Sequence, residues 1–197
     1  VFVDCGAYNG DSVAAFAAWH RGPDAHVVAI EPDPASFAAL ERVAASIRPR
    51  GIAVSCVNAA VGETSGRIGF QSLNNEASHI ARDAETTVAM VSVDAALADL
   101  GLTASLVKYD VEGFEREAIA GTRDSIGSGS ALAVSVYHQA HDLWEILLLL
   151  HSMQPDYVFH LREHGPDGID TDLYALPKHL AIPACSSHDM GSENLPL

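Results

Sequence analysis

Apolar residues fall in short blocks of strand length, separated by stretches with helical spacing. Residues 1–3, 26–30, 53–57, 106–109 and 131–136 are mostly apolar and rich in valine and isoleucine, the pattern of strands covered on both faces of a parallel sheet. Between them the period lengthens. Residues 12–19 read as an alanine-rich helix; Asp33 followed by Pro34 is a strong helix start, with Phe37, Leu40, Val43 and Ala44 on its buried face. Asp94 is expected to cap a brief helix ending at Leu100, and another ends at Gly121 with Glu115, Arg116 and Glu117 on its solvated side. Residues 142–153 form an amphipathic helix, with Leu143, Trp144, Ile146, Leu147 and Leu150 directed inward. Short strands at 66–70 and 87–93 flank a polar, irregular segment from Leu73 to Glu85 that carries Asn74, Asn75, Ser78 and His79. Residues 157–161 and 172–176 complete an antiparallel hairpin. Alternating strands and helices of this kind define a doubly wound, Rossmann-like α/β fold over residues 1–180, with a flexible tail over 181–197.

Composition narrows the partners. With 197 residues, 48% hydrophobic and 19% charged, the chain can bury one sizeable core. Its net charge of −15 opposes binding to nucleic acid, because phosphate contacts depend on lysine and arginine. Cys5, Cys56 and Cys185 are an odd set without metal-site spacing, which predicts reduced thiols in a cytoplasmic protein. No apolar run reaches the roughly 18 to 20 residues of a membrane span. The chain opens inside its first strand at Val1, so further residues are expected upstream.

The polar residues at the strand ends carry the chemistry. The first strand runs into Asp4-Cys5-Gly6-Ala7-Tyr8-Asn9-Gly10-Asp11-Ser12, where two glycines let backbone approach a ligand and the following helix offers free N–H groups. This is not the G-x-G-x-x-G spacing of a dinucleotide site, which disfavours a nucleotide-dependent oxidoreductase. A ligand with a cationic centre and no pyrophosphate suits it better, and S-adenosylmethionine, with its α-amino group, ribose diol and sulfonium, is such a ligand. Glu31, followed by Pro32, lies about 20 residues beyond the loop, where an acid ending the second strand meets ribose hydroxyls. Asn58-Ala59-Ala60-Val61-Gly62 offers small residues for a flat adenine with Asn58 at its edge, though it also reads as a plain turn. Asp110 and Glu112 emerge from the fourth long strand, and Tyr137 and His138 from the fifth. A neutral His138 oriented by Asp110 is the general-base candidate. Asp110 and Glu112 are also potential oxygen ligands for a divalent metal, but no third ligand is evident and no metal is expected.

Taken together these motifs resemble the FkbM-type methyltransferases, a branch of the S-adenosylmethionine-dependent class I fold. The likeness rests on the 4–12 loop, Ile30-Glu31-Pro32, Ala60-Val61-Gly62, Val93-Asp94, Leu173-Tyr174-Ala175 and, most specifically, Lys108-Tyr109-Asp110-Val111-Glu112-Gly113-Phe114-Glu115. It implies a seven-stranded sheet, cofactor over strands one, two and four, and O-methylation of a sugar, glycan or secondary-metabolite hydroxyl. Tyr8 stands where many members of the broader class have glycine or asparagine, and is expected to cover the methionine portion. The expected cofactor contacts are Asp4, Gly6, Ala7, Tyr8, Asn9, Gly10, Ser12, Glu31, Pro32, Asn58, Ala60 and Asp110. Glu112, Tyr137, His138 and His79 are the expected acceptor contacts, an exposed loop residue being the safer reading of His79. A non-catalytic binding module on the same fold is the alternative.

Overall fold

The computed structural model describes residues 1–22, 24–73, 78–81, 83–168 and 170–181. Asn74, Asn75, Cys185 and the expected tail beyond Ala181 lie outside the described residues. A seven-stranded sheet forms the centre, in the order β10, β11, β9, β8, β1, β2, β3. Its strands are β1 (Phe2–Cys5), β2 (His26–Ile30), β3 (Ala53–Val57), β8 (Leu106–Tyr109), β9 (Ala131–Ser135), β10 (Tyr157–Glu163) and β11 (Thr171–Pro177). The first five run parallel; β11 is antiparallel both to β9 and to β10. The expected hairpin is therefore present, but its second strand lies inside the sheet and its first forms the edge.

Both faces are covered. α1 (Asp11–Trp19) and α2 (Pro34–Ile47) pack on one side over Phe2, Val27, Ala29 and Val54. α3 (Val93–Leu100), α4 (Glu115–Ala120), α5 (Arg123–Gly127) and α6 (Asp142–Met153) enclose the other core, built on Val3, Cys5, Val107, Leu132 and Val134. Asp33 caps α2 as expected, its Oδ1 accepting from the N–H groups of Ala35 and Ser36 at 2.9 and 3.0 Å. α3 is capped by Ser92 instead of Asp94. The Asp94 carboxylate reaches across to α5, accepting from the N–H groups of Asp124 and Ser125 and from the Ser125 hydroxyl. On α6, Ile146 and Leu150 are buried, whereas Leu143 and Trp144 are 42% and 54% exposed. Helical phase explains this: the buried stripe starts at Asp142, whose Oδ2 accepts from the Gln139 N–H at 3.0 Å, so its two neighbours turn outward.

A smaller sheet interrupts the crossover between β3 and α3. It has the order β4 (Ala60–Val61), β7 (Thr87–Val91), β5 (Gly66–Gln71), β6 (His79–Ile80). The stretch read as turn or adenine platform thus includes a strand, β4, parallel to β7, and His79 sits on a strand paired with β5. No helix among the described residues is long and apolar enough to cross a membrane. Cys5 and Cys56 are free thiols, Cys5 fully buried.

Candidate active site

Parallel strands place their carboxyl ends at one rim, and here the rim of β1, β2 and β8 meets the small sheet around a cavity of about 640 Å³. That lies within the roughly 300 to 1,000 Å³ of small-molecule sites. Gly6, Tyr8, Asn9 and Ser12 line it from the first loop, Glu31 and Pro32 from the end of β2, and Asp110 and Glu112 from the end of β8. Ala60 and His79 contribute from the small sheet, and Tyr137 from the end of β9. Ala7 and Gly10 are buried beneath the loop, and Asn58 faces a neighbouring hollow.

The loop's geometry differs from the simple reading. Gly6, at φ 79°, is required because a Cβ there would lie 1.8 Å from the Asp110 carbonyl oxygen; its open side admits β8's backbone. The N–H groups of Gly6 and Ala7 both donate to the Ile30 carbonyl at 3.0 Å. Those of Asp11 and Ser12 are taken by the Asn9 and Asp11 side chains, so the start of α1 does not present them freely to a ligand. Tyr8 adopts a left-handed φ of 45°, a conformation that glycine and asparagine enter at least cost. Its N–H donates to Glu31 Oε2 at 2.9 Å.

Glu31 is clamped by a second backbone donor, Asp33 N–H, at 2.7 Å from Oε1. Burial pushes its carboxyl up to about 7, against the pull of those two hydrogen bonds. Each oxygen keeps a lone pair, and the side chain lines the cavity. Asn58 supports this corner, its amide donating to the carbonyls of Glu31 and Pro32 at 2.8 and 3.3 Å.

Asp4 does not reach the cavity. It is fully buried, 3.5 Å from the Lys108 ammonium, its partner in the β1–β8 register. Lys108 stands between Asp4 and the ligand space and also donates to Asp110 Oδ2 at 3.3 Å. Burial raises the Asp4 carboxyl to about 6, partly countered by Lys108. Burial alone would lower the lysine, but Asp4 and Asp110 hold it above its ordinary range.

His138 lies just behind the rim, its side chain 8% exposed. Nδ1 is 2.9 Å from Glu115 Oε1, and Nε2 is 3.5 Å from both Asp110 Oδ1 and Glu112 Oε1. Glu115, expected on a solvated helix face, is 1% exposed; its Oε1 also accepts from Val111 N–H at 3.0 Å. Glu115 therefore orients the imidazole, a role the sequence reading gave to Asp110. Burial pulls the imidazole down, yet Glu112 and Glu115 together hold it at about 10. That rise favours the protonated ring, against the neutral general base expected of His138. The 110–114 turn is held to β9's exit by Gln139, whose amide donates to the Gly113 carbonyl at 2.8 Å.

Lys108, Asp11, Asp170 and Glu115 complete a site of which the sequence reading had named other parts. One of these had a legible signal: Lys108 shares strand parity with Asp110. Among lining residues, five carboxylates (Asp11, Glu31, Asp110, Glu112, Asp170) face one lysine, so the cavity favours a cationic ligand.

This fold has solved counterparts. A methyltransferase FkbM from Methylobacillus flagellatus superposes with a TM-score of 0.70 at 29% identity, over 88% of this chain. The chain spans 42% of that protein's length. A precorrin-6y C5,15-methyltransferase from Geobacter metallireducens (11% identity, TM-score 0.51) shares the fold over 89% of this chain and 77% of its own. The same is true of a putative O-methyltransferase from Klebsiella pneumoniae (12%, 0.52), over 89% and 72%. No curated protein matches the chain. The model of the methyltransferase FkbM domain matches residues 4–162, which takes in the glycine loop, Glu31 and the Asp110–Glu115 turn together. By that match, the chain belongs to the FkbM methyltransferase family.

Proposed function

We propose that the protein transfers a methyl group from S-adenosylmethionine to a hydroxyl oxygen of a sugar, glycan or other small metabolite. The observation that carries this reading is the acidic cavity between the 6–12 loop and Glu31, which suits a ligand bearing ammonium and sulfonium charges and a ribose diol. Glu31 accepts from the ribose hydroxyls with its remaining lone pairs. Asn9, Ser12 and the Lys108–Asp110 pair meet the amino acid end, with Tyr8 over it. Asp11 adds negative charge at the same end. Ala60, beside the small sheet, leaves room for the adenine.

In the transfer, the methyl carbon–sulfur bond breaks with its electron pair left on sulfur, and a carbon–oxygen bond forms from the acceptor's lone pair. The hydroxyl proton passes to a rim carboxylate, Asp110 or Glu112, and on to solvent. His138, 3.5 Å from each, orders these carboxylates. Alignment is the main contribution, since orientation supplies effective molarities of roughly 10⁵ M or more and a general base about 10² to 10⁴-fold. Tyr137 and His79 line the acceptor's side. The acidic rim and net charge of −15 support a small or glycan acceptor over a polyanion. The free thiols of Cys5 and Cys56 support placement in a reducing cytoplasm.

The test supplies methyl-labelled S-adenosylmethionine with a panel of sugars, glycans and polyketide alcohols, and reads label in the acceptor by mass spectrometry. Label on oxygen supports the reading. Tight S-adenosylhomocysteine binding without transfer to any panel member points to a binding module, and binding of NADH in its place to an oxidoreductase.

A further inference from the structure

Three donor atoms converge at the rim of the cavity, where β8 and β9 end. Asp110 Oδ1 and Glu112 Oε1 each lie 3.5 Å from His138 Nε2, and ligand atoms of all three residues lie within 4.8 Å of one another. Donors held about 2.0 to 2.2 Å from one ion are themselves separated by about 2.8 to 3.6 Å, the range between right-angled and tetrahedral coordination. The histidine side chain is more than nine-tenths buried, and its Nε2 and the buried Asp110 Oδ1 make no hydrogen bond among the described residues, facing each other only at the 3.5 Å of an ion pair. Lys108 engages the other Asp110 oxygen, Oδ2, and so leaves Oδ1 turned toward the imidazole. These features separate the group from an ordinary solvated acidic patch, whose oxygens would face water.

We propose that Asp110, Glu112 and His138 bind a divalent cation at the rim of the cavity. Sequence offers only the two carboxylates; the third ligand arrives because β9 pairs beside β8 and delivers His138 to the same rim. Behind it, Glu115 Oε1 at 2.9 Å from Nδ1 supplies the outer carboxylate that commonly fixes a metal-bound imidazole, and the ion takes the place of the proton that the surrounding acids otherwise favour on Nε2, which is released on binding. One nitrogen and two oxygens favour a first-row transition ion such as Mn²⁺ or Zn²⁺ over Ca²⁺, whose sites are built from oxygen alone. Asp110 and Glu112 line the cavity, so the positions the protein leaves open on the ion face it.

The ion's use rests on the methyltransferase reading; its binding does not. With the ion in place Asp110 and Glu112 are its ligands, so an acceptor hydroxyl coordinated there would be acidified and release its proton to solvent water instead of to those carboxylates, before the oxygen takes the methyl group and neutral S-adenosylhomocysteine departs. The cation also fixes which hydroxyl of a polyol meets the methyl group.

The test titrates the chelator-treated, dialysed full chain with Mn²⁺, following free ion by electron paramagnetic resonance, without cofactor or acceptor. The expected result is one saturable equivalent per chain, displaced by Zn²⁺ and weakened at least tenfold in Glu112→Gln, Asp110→Asn and His138→Gln. The two carboxylate variants alter half-buried rim positions, so they keep the test decisive if His138→Gln fails to fold. No saturable binding, or binding undiminished in folded Glu112→Gln, overturns the proposal. Because S-adenosylhomocysteine binding is measured separately, its failure would strike the methyltransferase reading and leave the cation site standing, and the reverse holds equally.

Discussion

Gly6→Ala is the substitution in which the fold's logic is most exposed. The added Cβ would stand 1.8 Å from the Asp110 carbonyl oxygen and 2.9 Å from its carbon, where an ordinary contact begins at 3.4 Å. Relief needs about 1.6 Å of movement between the carboxyl ends of β1 and β8, and the obstacle is backbone, which cannot swing aside as a side chain does. Alanine at φ 79° adds left-handed strain of about 1 to 2 kcal/mol, and forcing volume into a packed site costs about 1 to 3 more. A total of about 2 to 5 kcal/mol should lower the melting temperature by roughly 4 to 20 °C for a chain of this length. Circular dichroism melts and guanidinium titration measure it, with Gly66→Ala as control, since nothing lies within 4 Å of a Cβ there. The control should stay within about 0.5 kcal/mol of wild type. A Gly6→Ala protein as stable as the control would refute the claim that this glycine exists to admit the β8 backbone.

Three further outcomes follow from the same geometry. Because Glu31's carboxyl is raised to about 7 in the folded protein from an ordinary 4.5, its contribution to stability is full below about 4.5 and is lost as pH rises through 7. S-adenosylhomocysteine affinity should run the opposite way, rising between pH 6 and 8 as the carboxylate forms; calorimetry at both pH values checks it, and Glu31→Gln should flatten the dependence. Glu115→Gln should destabilise the fold by about 1 to 3 kcal/mol, because the amide cannot replace the buried carboxylate beside His138; a denaturation midpoint like that of wild type would contradict this. On α6, Leu150→Ala should cost about 2 to 5 kcal/mol and Trp144→Ala within about 0.5; thermal melts showing a Trp144→Ala loss as large as that of Leu150→Ala would contradict the observed helical phase.

Strands were the most legible part of the sequence, because burial on both faces leaves a nearly unbroken apolar run: β2 occupies the residues the pattern predicts, and so does the half-buried edge strand β3. The rim acids were legible as positions but less so as roles. Asp4 reads as a ligand contact, yet its register with Lys108 places a cation in front of it, and register is a long-range property absent from local pattern. Glu115 sits in a run, Glu-Arg-Glu, that looks solvated, and only the convergence of β8 and β9 shows that one of the three is enclosed. The small sheet was half visible. Its two longer strands, β5 and β7, carry apolar signal, whereas β4 and β6 are two residues each and depend on pairing with distant partners.

The central claim is that the acidic cavity holds S-adenosylmethionine with Glu31 at the ribose. Calorimetric titration of the full chain with S-adenosylhomocysteine, alongside Glu31→Ala, tests it most directly. The account predicts one site of micromolar affinity in the wild type, weakened at least tenfold in the variant. A folded wild-type protein that binds no S-adenosylhomocysteine, or a Glu31→Ala protein that binds it equally well, would contradict it.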